Sequence, residues 1–468
     1  MHNAKLAALA VAGTLGSIAL VACDLDIPDL NNPPFDSLAE HPTSVTINAA
    51  CTGLVIGNRR NVAAANGYIA QLGILGREAY NLDPSDPRFV GELLGGTLNK
   101  GSPFGGNFWA GPYVNIRLAN TILDALPKVP AEDNLTDENR AGIRGFADTM
   151  IALDLLEVIV THDTNGAVID TDHPLGAPLG AIVDKPVVYA EIVRLLDAAL
   201  PELDAAGKTF SFGLSTGYAG FDTPATYRKF NRAIRARVAA YLKDYPTVLT
   251  ALSQSFIDDS AMADFSEGVY HVHSTKTGDL ANGLIAPRIR AHPSVKADAQ
   301  LNGTTIDTRY TDKTAPGKLR SLQDPPLSSD ITFSKLYPGP DAPVALIRNE
   351  ELILLKAEAL YYTGNVEGAL SEINLVRTQS GKLPALTVSF PPPTNDTSRD
   401  TVFIDALLYE RRYSLLFEGH RWIDVRRFDR VASLPLDSAD FHYNIRYPIP
   451  LQECNARPGE PRCALGSE

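Results

Sequence analysis

The chain has 468 residues, 44% of them hydrophobic, and a formal net charge of −13. That length supports a large core and one to three domains, and the composition is that of an ordinary globular protein. The acidic balance argues against a nucleic-acid binder and against a surface drawn electrostatically to anionic membranes.

In chain order, the first feature is a targeting segment. Lys5 supplies a positive start, Leu6–Val21 is apolar and rich in small residues, and the run ends in Leu20-Val21-Ala22-Cys23. The run is short for a membrane span. Its end resembles a bacterial lipoprotein cleavage box, in which small residues suit the peptidase and the Cys23 thiol is acylated. Residues 1–22 are therefore expected to be a signal peptide and Cys23 the lipidation site. Two acyl chains on one residue anchor a protein firmly. Residues 23–42 carry Asp24, Asp26, Asp29, Pro28, Pro33 and Pro34 without apolar periodicity, and read as an acidic tether.

The body, 43–468, reads as one mainly helical domain. Apolar periodicity predicts helices over Thr43–Asn66, Trp109–Leu126, Asn139–Val160, Val187–Ala205, Tyr227–Lys243, Tyr245–Phe256, Ala345–Thr363, Val366–Ser380 and Thr401–Glu418. In Ala345–Ser380, the spacing of Lys356, Ala357 and Leu360, then Ala369 and Ile373, is that of a tetratricopeptide helix pair, with Gly364-Asn365 at the turn. Ala239 and Ala251 repeat that spacing. Cys51 lies in an apolar run and reads as a buried thiol.

Two stretches interrupt the helices. Asp83–Phe108 is rich in glycine and proline. Asp258–Pro343 is an irregular inserted lobe with short β-rich runs such as Gly268–His273 and Thr304–Tyr310. Long ordered loops on a rigid scaffold commonly carry binding sites. The Tyr270-x-His-x-His run puts His271 and His273 on one strand face. No third ligand has a fixed spacing, so no metal is expected. Nor is a cofactor expected. No phosphate loop, nucleophile elbow or zinc-protease motif is present, and catalysis is not expected.

Near the end, Ile404, Leu407, Leu408, Arg411, Leu415 and Glu418 share one helical stripe, followed at once by Gly419. Charges on an apolar face are costly unless paired. Arg411 and Glu418 are therefore expected to find partners among Arg421, Asp424 and Arg426 in a partly buried ion network. Cys454 and Cys463 bracket a proline- and glycine-bearing loop, where a local disulfide fits an oxidising compartment.

The same stretch carries a resemblance. Glu410, Arg411, Arg412, Leu415, Phe417, Glu418, Gly419, Arg421, Trp422, Asp424 and Arg426, followed by Tyr447–Glu453, resemble the C-terminal signature of the SusD/RagB family. That resemblance implies a SusD-like fold with degenerate tetratricopeptide pairs. It implies a lipid-anchored outer-membrane protein, facing the cell exterior, that binds a nutrient, usually a glycan, and delivers it to a TonB-dependent transporter of the SusC type. Sugars are held by aromatic faces and by polar side chains. The candidate ligand residues are Tyr80, Asn81, Asp83, Arg88, Phe89, Phe104 and Phe108 in the first loop, and Tyr270 and His273 in the lobe. Trp109 opens an apolar helical stripe and reads as structural. Two alternatives stand beside this reading: a tetratricopeptide adaptor that binds only protein, and a lipid-anchored glycoside hydrolase.

Overall fold

The computed structural model describes residues 35–467 apart from 175, 322–325, 395 and 397. The expected signal peptide and the lipidation site Cys23 lie outside the described residues. Part of the expected tether is ordered structure, because Phe35–Glu40 is a short helix.

The scaffold helices are α1 (Ser44–Arg59), α2 (Tyr68–Leu75), α3 (Ala110–Ala125), α4 (Asp137–His162), α5 (Lys185–Ala205), α6 (Pro224–Tyr241), α7 (Tyr245–Ser253), α8 (Asn349–Tyr362), α9 (Val366–Gln379), α10 (Thr401–Ser414) and α11 (Arg421–Arg427). Their starts have local causes. Thr43, Thr136 and Thr223 each cap a helix through reciprocal hydrogen bonds with the third residue in, which satisfies two otherwise orphaned backbone donors. Gly364, at a φ of +87°, makes the turn between α8 and α9. There the left-handed conformation costs glycine nothing.

The helices pack in chain order: α3 on α4, α4 on α5, α5 on α6, α6 on α7, and α8 on α9. Helix α7 packs directly on α8 although some 95 positions separate them in the chain. The scaffold is thus continuous across the intervening lobe, as a tetratricopeptide-like stack requires. Helix α8 is buried on nearly its whole circumference. Ala357, Ala369 and Ile373 are fully buried where α8 and α9 meet. Beneath that pair lies a second core cluster, in which Tyr361 stacks on Phe403 with ring centroids 3.8 Å apart. Cys51 is buried in the main core, and burial raises its thiol far above the ordinary range.

The structure corrects three element boundaries. Val344–Arg348 is a strand, paired antiparallel with Gly268–His271, so α8 begins at Asn349 and not at Ala345. The run Thr304–Tyr310 holds only the two-residue strand Thr305–Ile306 before a helix begins at Thr308. Tyr68–Leu75 is a helix that the sequence pattern did not mark, and it is buried from Ile69 to its end. A segment apolar at nearly every position carries little periodicity to read. Among the described residues no helix is long and apolar enough to cross a membrane.

Candidate binding site

The charged C-terminal stretch folds as helix, reversal, helix. Helix α10 ends at Ser414, and the chain turns through Phe417 (φ +57°) and Gly419 (φ +87°) into α11. A Cβ on Gly419 would lie 3.0 Å from the Tyr68 ring, so the position is closed to larger residues.

Arg411 Nε donates to Asp424 at 2.8 Å, as expected. The other partners differ. Glu418 is turned back by the reversal and accepts from Arg348 Nε at 3.0 Å and Lys313 Nζ at 3.3 Å. Arg426 pairs with Asp163 at 3.1 Å. Arg427 forms a two-pronged bond to Glu358, 2.7 Å on each side. Arg421 Nε is buried without a hydrogen-bond partner. Burial and the neighbouring Arg412 lower Arg421 to about 10. Glu351 is held the opposite way. Burial alone would raise it, but the Arg237 guanidinium overrides burial and holds the carboxyl at about 2. Every anion in this network is matched by a cation at hydrogen-bonding distance, and the network is part of the core.

Against that core lies a partly open cavity of about 100 Å³. Glu157, Tyr68, Tyr241, Arg237 and His271 line it. Burial, reinforced by Asp154, pushes Glu157 up to about 8, so its carboxyl is neutral at pH 7. Burial lowers His271 to about 3. The cavity has room for several waters at about 30 Å³ each.

The candidate ligand residues of the first loop mostly face inward, which corrects their expected role. Tyr80 is 2% exposed and packs on His292 with centroids 4.8 Å apart. Phe89 packs on Phe104 at 4.9 Å, and Phe108 sits between Tyr68 and Tyr447. Asn81 is buried and bonds the carbonyl of Ala65. The reason is physical. A loop without long helices or strands must still bury apolar surface, and its own rings do so. Asp83 accepts from the Ser85 backbone and hydroxyl, closing a turn. Arg88 pairs with Asp86 at 2.8 Å and lies over Phe104. In the lobe, Tyr270 is half-buried with its hydroxyl donating to the carbonyl of Ser266, and His273 is buried. No group of three or more metal-ligating side chains is present among the described residues.

The wide concavity lies elsewhere. A groove of about 620 Å³ runs between the outer face of α3, residues 168–173 with Leu179 and Gly180, and a C-terminal hairpin made of the short helix Leu451–Ala456 and the turn Pro461–Ala464. Val114 is 65% exposed and Leu179 is 53% exposed. With Leu118 and the Tyr113 ring they form an apolar floor, and Trp109 packs on Tyr113 at 5.1 Å. The hairpin wall is tied by the Cys454–Cys463 bond, with Cα atoms 5.6 Å apart. From it Arg457 bonds Glu453 and the carbonyl of Gly180. The sequence reading missed this groove because its walls come from three distant segments. One signal was available: Ala110, Val114 and Leu118 make a second stripe on α3, opposite the stripe that enters the core.

A family model described as SusD family matches residues 338–447. The SusD-like protein P38 of Formosa agariphila is 30% identical over 142 residues, which are 29% of this chain and 26% of that protein. This chain therefore matches about a quarter of that relative's length. A SusD superfamily protein from Bacteroides vulgatus superposes with a TM-score of 0.65 at 14% identity, covering 91% of this chain and 98% of its own. Over residues 338–447 the chain matches the SusD family, and its fold is SusD-like. The SusD match takes in α8, α9, α10 and α11, so it spans the repeat pair and the ion network together. The surface glycan-binding protein A of Bacteroides uniformis shares the SusD-like fold, with a TM-score of 0.65, 16% identity, and 91% and 99% of the two chains covered.

Proposed function

We propose that this SusD-like protein captures a saccharide nutrient outside the outer membrane and hands it to a TonB-dependent transporter of the SusC type. The observation that carries this reading is the joint presence of the family's C-terminal ion network and a helical scaffold shared with a glycan-binding surface protein. In this reading Cys23 is acylated after removal of residues 1–22, and residues 43–468 act as one unit. The scaffold docks on the transporter, and saccharide is held non-covalently until transfer, with no bond made or broken. The groove beside α3 is the concavity of suitable size, since a ligand site of this kind spans roughly 300–1,000 Å³. Of the first-loop and lobe residues, Asp83, Arg88 and Tyr270 keep enough exposure to take part in a second contact face.

The test is recovery of the tagged full chain from gently solubilised outer membranes, followed by titration calorimetry with an oligosaccharide panel. A β-barrel transporter in comparable amount and a saccharide that binds are the expected results. Reproducible absence of both from a protein present in that membrane would refute the reading.

A further inference from the structure

The groove differs from a site built for a bare sugar. A saccharide presents hydroxyls over most of its surface, and each hydroxyl buried without a partner costs free energy. Here several polar groups of the lining are engaged within the protein, while the Asp170 carboxylate stays largely in solvent at the rim. The Tyr113 hydroxyl donates to the carbonyl of Val168 at 2.9 Å and accepts from its N–H at 2.6 Å, so only the ring faces the groove. Arg117 Nη1 donates to the carbonyl of His173 at 2.6 Å. His173 Nε2 lies 3.0 Å from the carbonyl of Asp170. Arg457 is bonded to Glu453 and Gly180. The charges balance, with Arg117 and Arg457 against Asp170 and Glu453, so the groove favours neither an anion nor a cation.

What remains on offer is an apolar floor with a neutral polar rim. Resting on the saccharide reading above, we infer that the groove binds the apolar substituent of an uncharged substituted saccharide, an aryl glycoside or an acyl or aryl ester. The ring or acyl group lies on Tyr113, Val114, Leu118 and Leu179. The sugar stays at the rim in water, beside Asp170 and Glu453. Removing a phenyl-sized apolar surface from water favours binding by at least about tenfold.

The experiment compares phenyl β-D-glucopyranoside with methyl β-D-glucopyranoside by calorimetry, using the full chain in lipid nanodiscs to keep detergent out of the groove. The phenyl glycoside is expected to bind at least about tenfold tighter. Val114→Asp and, independently, Leu179→Asp are expected to abolish that advantage. Both side chains are more than half exposed, so the variants keep the fold, which a melting curve verifies. Equal affinity of the two glycosides overturns the inference. So does a phenyl advantage that survives both substitutions. Binding of unsubstituted oligosaccharides with neither glycoside bound overturns it while leaving saccharide capture standing. If no saccharide binds, capture itself fails and the inference falls with it.

Discussion

The ion network around α10 and α11 and the groove beside α3 are opposites in construction. In the first, Arg411, Asp424, Arg427 and Glu358 are charged side chains inside the protein. In the second, Val114 and Leu179 are apolar side chains in water. Each violates the ordinary partition of polar and apolar groups, and each violation has a different consequence. A buried charge is tolerated only with its partner, so the network makes the fold intolerant of change. An exposed apolar floor contributes little to folding and leaves the groove available to a ligand.

That contrast can be broken from the network side first. Asp424→Asn removes the negative charge facing Arg411 and Arg427; Arg427 keeps Glu358, but Arg411 is left buried without an anion at hydrogen-bonding distance. The expected loss is about 3–5 kcal/mol, read as a lower midpoint in urea. Phe104→Ala is expected to cost about as much, 3–5 kcal/mol, because the ring is core and not ligand platform. A normal midpoint for Phe104→Ala with reduced sugar affinity would reverse that assignment.

The hairpin that walls the groove is expected to matter less. Cys454→Ser with Cys463→Ser opens a loop nine residues in span, worth about 2–3 kcal/mol on the chain-entropy account. It is also expected to weaken any ligand of the groove more than it lowers stability, because Arg457 loses its fixed position.

A pH-dependent effect comes from Glu157. Its folded value of about 8 lies above the ordinary carboxyl value, so its contribution is full in acid and lost as pH rises toward 8. Tyr68, Tyr241, Arg237 and Asp154 face or flank it. Glu157→Gln is expected to flatten the decline in melting stability between pH 5 and 8, a slope of at most about 1.4 kcal/mol per pH unit. An unchanged slope would show that the carboxyl is ionised inside. Smallest of all, Val114→Ser is expected to shift stability by under about 0.5 kcal/mol, with any effect confined to binding.

Much of the scaffold was legible in the sequence because its signals are local. Three threonine caps, the Gly364 turn and the 3.6-residue stripes act within a few residues of themselves. The charged ending was legible because its residues are contiguous, yet Glu418 was assigned the wrong partners. Its true ones, Arg348 and Lys313, are some seventy and a hundred positions upstream and are brought close only by the reversal at Phe417 and Gly419. Val344–Arg348 read as the start of α8 because an apolar run continuous with an apolar helix fits either period. The first-loop aromatics were read as ligand groups, whereas they fill the loop's own interior. The groove stayed hidden because Val114, Leu179 and Glu453 meet only after three separate segments have folded.

The direct packing of α7 on α8 has a consequence for how such a protein can diversify. The two ends of the lobe are brought together by scaffold contacts, and the Gly268–His271 and Val344–Arg348 strands close its base. What lies between is a cassette whose entry and exit are already fixed. Its exposed turns can lengthen, shorten or be exchanged, whereas Lys313 and Arg309 reach out of it to Glu418 and Glu410 and hold it to the frame, so new surface chemistry can be acquired around fixed anchors.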